Sequence, residues 1–101
     1  VFRLNCVAML EKPYPQVFRG AMKSLKKHGF TVRVEDVKGK TIAGEMHTFP
    51  GRESTIRVRF LSEDDRTLMR TECVSHLSPS GNRKMKERIV NLVEGLEAQM
   101  A

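Results

Sequence analysis

The chain has no tryptophan, one tyrosine, five phenylalanines and two cysteines. Nor does it have a long run of apolar residues. Each scarcity excludes something. A membrane-crossing helix needs about 20 mainly apolar residues in a row, and no stretch approaches that. Val1 to Leu10 is too short and too alternating to read as a secretory signal. Cys6 and Cys73 are too few for a disulfide framework and have no metal-ligand spacing. They fit either one bridge or two buried thiols acting as small hydrophobes, and the second reading is favoured. The seven glycines are scattered, so neither common phosphate-binding loop is present.

What is present is ordinary globular material with a basic surplus. Of 101 residues, 40% are apolar and 30% charged, with 18 Lys and Arg against 12 Asp and Glu. That length suits one domain over residues 1–101. The net charge of +6 favours anionic partners: acidic protein, an anionic membrane surface or nucleic acid.

Periodicity predicts seven elements. Phe2, Leu4, Cys6, Ala8 and Leu10 alternate with Arg3, Asn5, Val7 and Met9, which predicts a strand. After "KPYPQ" (12–16), Pro15 suits the first turn of a helix. Phe18, Ala21, Met22 and Leu25 then give that helix one apolar face, and Gly29 stops it. Four strands follow at 30–35, 41–48, 54–60 and 67–76, separated by turns at 37–40, 49–53 and 62–66. Their inward sets are Phe30, Val32 and Val34; Ile42, Gly44 and Met46; Ile56, Val58 and Phe60; and Met69, Thr71 and Cys73. Short polar loops between successive strands imply an antiparallel meander. Met85, Ile89, Leu92, Val93 and Leu96 stripe a final helix, with Ser78 or Ser80 as its cap and Pro79 in its first turn. The expected fold class is α+β: a two-layer sandwich in the order β-α-β-β-β-β-α, with two helices on one face of a five-stranded antiparallel sheet.

Candidate chemistry is sparse. Ser75 and His76 are neighbours on a strand, so they point to opposite faces and form no nucleophile–base pair. Glu63, Asp64 and Asp65 form an acidic turn. No catalytic set, metal site or cofactor motif emerges, so a non-enzymatic module without a small-molecule substrate is expected. Binding candidates are the cations. Lys23, Lys26 and Lys27 close the first helix. Arg83, Lys84, Lys86 and Arg88 open the second, against the sign its N-terminal dipole prefers. If the helices run antiparallel, these seven share one end as an anion or partner site. On the open sheet face Arg33, Arg57 and Arg59 form a second candidate group. Almost no aromatics accompany them, and aromatic platforms are what sheet-type single-strand nucleic-acid binders use. Nucleic acid is therefore the weaker partner.

The element order resembles the layout shared by the TATA-binding-protein-like and helix-grip folds. The stretch "VFRGAMKSLKKHGFTV" (17–32), leading into "KGKTIAGEM" (38–46) and "STIRVRF" (54–60), with Gly81-Asn82 opening the last helix, resembles small bacterial envelope lipoprotein domains of BamC-like style. That resemblance implies a cell-envelope or periplasmic accessory domain that binds a protein partner. Ser80-Gly81-Asn82 before the last helix also resembles the kinase-associated C-terminal domain of AMPK-related and checkpoint kinases. This second resemblance implies a cytoplasmic, membrane-peripheral regulatory module that binds anionic phospholipid through basic residues.

Overall fold

The structure, a computed structural model, describes residues 1–48 and 52–101. Its elements are β1 (Phe2–Leu10), α1 (Tyr14–Lys27), β2 (Thr31–Asp36), β3 (Thr41–Thr48), β4 (Arg52–Glu63), β5 (Arg66–Ser75) and α2 (Pro79–Gln99). The expected class and order are those observed.

Local chemistry explains the boundaries. Pro15 occupies the first turn of α1, where a missing N–H costs nothing. Gly29 takes φ +91° just beyond the helix, a conformation that side chains resist. There the Phe30 amide donates back to the Leu25 carbonyl at 3.0 Å. Ser78 caps α2, its Oγ accepting from the Gly81 amide at 3.2 Å. β4 runs further than its alternating core suggests and narrows the acidic turn to Asp64 and Asp65, with Asp64 at φ +54°. Of the turn expected at 49–53, residues 49–51 lie outside the described residues, and Arg52 and Glu53 belong to β4.

The five strands form one antiparallel sheet in the order β1-β5-β4-β3-β2. Register places Cys6 opposite Thr71, Val58 opposite Thr71, and Ile42 opposite Val58, so inward residues line up across the strands. Val34 departs from expectation. A register shift between Val32 and Val34 leaves Arg33 without a partner and pairs Val34 with Ala43. One inserted residue reverses the faces beyond it, so Val34 lies exposed on the open face.

Both helices cover the other face. Val17, Phe18 and Leu25 of α1 and Ile89, Leu92 and Leu96 of α2 are buried with Ile42, Ile56, Val58, Met69 and Cys73 of the sheet. Burying one such aliphatic or aromatic side chain contributes about 1.5–3 kcal/mol, so this layer is the main source of stability. Gly20 of α1 lies against the far end of α2, where an added Cβ would come within 2.3 Å of Met100 Cε. At the opposite end of α1, Arg88 Nη1 donates to the His28 carbonyl at 2.7 Å. The helices therefore run antiparallel.

Candidate functional site

The seven helix cations are all exposed, but they do not share one surface. An α-helix turns 100° per residue, and known contacts fix the phase. On α2, Arg88 faces α1 through His28, and Lys84, one turn earlier, lies on the same flank. Arg83 and Lys86 lie on the other flank, beside a depression shared with Glu87, Val90 and Asn91. Lys86 is near enough to β1 to act electrostatically on Cys6. On α1, Gly20 faces α2. Lys23 and Lys27, three and seven residues on, therefore present to solvent and toward α2. Lys26 instead joins Arg33, Met22 and Val32 around a hollow of about 380 Å³ beside edge strand β2. The group that antiparallel packing brings together is Lys23, Lys27, Lys84 and Arg88. α1 contains no acidic residue to offset its cations.

The open sheet face carries a second arrangement. Arg33 Nε donates to Glu45 Oε1 at 2.6 Å, and His47 Nε2 lies 3.2 Å from the same oxygen. His47 Nδ1 is 3.8 Å from Glu53 Oε2 across the β3–β4 ladder. Bonds from Arg33 first, and then from His47, hold the Glu45 carboxyl below its usual pKa. Glu45, His47 and Glu53 have the ligand types and proximity for a cation, a group that linear sequence hides because Glu53 arrives only through pairing. Arg33 and His47 both lie at the Glu45 Oε1 atom, and the arrangement reads as a charge ladder.

Further along the same face, Arg57 stands opposite Glu72, and Arg59 opposite Arg70. The next pair is Leu61 opposite Leu68, with Val7 and Met9 of β1 facing Arg70 and Leu68. Val7 is 58% exposed and Leu61 54%. Depressions of about 410 Å³, touching Arg33, Arg57 and Glu72, and about 190 Å³, between Arg59, Leu61, Leu68 and Arg70, mark this surface. Strand alternation assigns Arg70 to the open face from sequence, but does not bring Val7, Leu61 and Leu68 to it. The register across the Asp64–Asp65 hairpin is the signal that joins them.

Between the layers, polar groups mostly satisfy one another. Ser54 Oγ donates to Ser75 Oγ at 3.1 Å, and Ser75 Oγ to Asn82 Oδ1 at 2.8 Å. Ser75 is buried while His76 is exposed, so the two do point apart. Thr71 Oγ1 is buried without a hydrogen-bond partner. Cys6 and Cys73 are free thiols. Burial pushes both upward, Cys73 to about 11 with help from Cys6, whereas Lys86 partly offsets the rise at Cys6.

No protein-family model matches the chain, and no curated protein matches its sequence. Solved structures do. The structure of Ara h 8.0201 superposes with TM-score 0.72 at 9% identity, over 98% of this chain and 97% of that one. The START superfamily protein from Mycobacterium smegmatis gives 0.65 at 10%, over 97% and 96%. The di-domain ARO/CYC BexL from the BE-7585A biosynthetic pathway gives 0.68 at 10%, over 99% of this chain but 45% of that one. This is the helix-grip fold.

The TATA-binding-protein-like layout and the BamC-like envelope lipoprotein and kinase-associated resemblances are corrected by these matches. The physical reason is that element order and a pattern of small apolar residues are common to unrelated sheets. They do not encode how a sheet lies against its last helix. In this helix-grip chain α2 runs along the inner face, and the apolar residues of its stripe are fully covered. The cell-envelope placement rested on the lipoprotein resemblance and has no other support.

Proposed function

We propose that this chain is a non-catalytic binding module that works through its surfaces, with the helix layer resting on an anionic membrane surface. Lys23, Lys27, Lys84 and Arg88 make the contact. The observation that carries this reading is α1 itself: Arg19, Lys23, Lys26 and Lys27 occur in a helix with no carboxylate. Arg88 and Lys84 continue the same surface from α2. Lys23, Lys27, Lys84 and Arg88 are exposed on the helix backs, which suits a smeared negative charge better than a discrete ligand. Each basic residue near an anionic leaflet contributes about 1 kcal/mol. Four give weak, reversible, salt-sensitive attachment, since no apolar insertion accompanies them.

The apolar stripe of α2, buried in one cluster with the inward residues of the sheet, supports surface binding over carriage of an internal ligand. The buried serines support a non-catalytic role, because they bond to each other and to Asn82. One observation favours a second reading. The unpaired Thr71 hydroxyl lies between sheet and helix, where a small apolar ligand bearing one polar group would find a partner if α2 shifted.

Cosedimentation with vesicles tests the first reading. Vesicles containing phosphatidylserine are expected to carry the protein down at low salt and release it as salt rises, whereas neutral phosphatidylcholine vesicles leave it in solution. Equal binding to both would sink the proposal.

A further inference from the structure

The sheet's open face, on the opposite side of the sandwich from the helix cations, sets two like charges at facing positions. Arg59 and Arg70 stand directly opposite each other on β4 and β5. Like charges in that position are destabilising. Among the described residues neither makes an ion pair. Beside them Leu61 and Leu68 form the next cross-strand pair, flanked by Met9 and Val7 of β1. Val7 and Leu61 are more than half exposed. One row further on, Glu63 and Arg66 pair with each other at 3.9 Å and close that edge.

We infer that this patch docks an acidic segment of a partner protein, with an apolar side chain over Leu61 and Leu68 and carboxylates on Arg59 and Arg70. Charge complementarity decides the occupant. Two arginines at facing positions, with no ion pair among the described residues, gain most from carboxylates, which arginine binds bidentately. An adjacent exposed apolar group supplies burial that charge alone lacks. A second copy of this chain is disfavoured, because its own face would set Arg57, Arg59 and Arg70 against the same arginines. The net charge of +6 also steers acidic partners inward. The inference is independent of membrane attachment, since the two surfaces lie on opposite sides.

An amide-resolved NMR titration of the whole chain, without vesicles, tests it. The probe is an end-capped peptide of alternating glutamate and leucine, with a lysine–leucine peptide as the charge control. The acidic peptide is expected to shift Val7, Arg59, Leu61, Leu68 and Arg70, while the basic one shifts none of them. Arg59→Gln with Arg70→Gln weakens binding at least tenfold, and Leu61→Ser weakens it severalfold. All three positions are exposed, so the amide spectrum stays that of the folded chain. Shifts confined to the helix layer, equal binding of the basic peptide, or unchanged affinity in the double variant would overturn the inference. So would a stable dimer through this face that excludes the peptide.

Discussion

The Arg88 guanidinium of α2 donates to the carbonyl oxygen of His28, the residue that caps α1, at 2.7 Å. Carbonyls at a helix C-terminus lack intrahelical partners, and a cationic donor suits the negative end of the dipole. Replacing Arg88 with Ala removes both contributions. Because the contact is exposed, the expected loss is about 1 kcal/mol. Urea unfolding should show a lower midpoint at unchanged slope.

Two glycines give opposite expectations. Gly95 lies in α2 with nothing within 4 Å of an added Cβ, so Gly95→Ala should stabilise by up to about 1 kcal/mol through helix propensity. Gly44 faces the core at the β2 bulge, where a Cβ would sit 2.7 Å from the Thr31 carbonyl oxygen. Backbone cannot swing aside as a side chain can, so Gly44→Ala should destabilise by about 1–3 kcal/mol. Thermal unfolding of the two variants checks both signs.

Thr71→Val swaps a buried, unpaired hydroxyl for a methyl of the same shape. Leaving such a group unsatisfied costs about 1–3 kcal/mol, so this substitution should be neutral or stabilising. Most Thr→Val changes in a hydrogen-bonded core would destabilise. A clear loss of stability would mean that the hydroxyl has a partner in solution.

Cys73 sets a limit on stability at high pH. Its thiol ionises near 9.0 when unfolded and near 11 when folded, so the native chain keeps the proton longer. Stability is therefore full below pH 9 and falls as pH rises toward 11, by at most about 1.4 kcal/mol per pH unit. Urea midpoints across that window should fall, and Cys73→Ala should flatten the trend. Alkylation should reach the half-buried Cys6 before the buried Cys73.

Most of the fold could be read locally. The apolar stripes of α1 and α2, the proline and serine at their starts and the alternation of β3, β4 and β5 each depend on neighbours a few residues apart. Val34 could not be read, because a bulge at Arg33 is a property of the β2–β3 pairing. Type and position along the chain identify the seven helix cations, but not which of them share a flank. Helical phase separates Arg83 and Lys86 from Lys84 and Arg88, and that separation matters only once α1 has a fixed side. Alternation places Arg70 on the open face, but only strand register sets it opposite Arg59 and beside Leu61 and Leu68. The β-α-β4-α order points to helix-grip and TATA-binding-protein-like layouts alike, because it is compatible with several ways of laying a sheet on a helix.

The central claim, that Lys23, Lys27, Lys84 and Arg88 act together on an anionic surface, is tested most directly by moving equal charge at two places. Lys23→Glu with Lys27→Glu and Arg83→Glu with Lys86→Glu each lower the net charge from +6 to +2 (6 − 4 = 2). Cosedimentation with phosphatidylserine vesicles at fixed low salt should fall at least tenfold for the first pair and by much less for the second. Equal losses would show that only net charge matters, and unchanged binding in the first pair would remove the helix surface from the account.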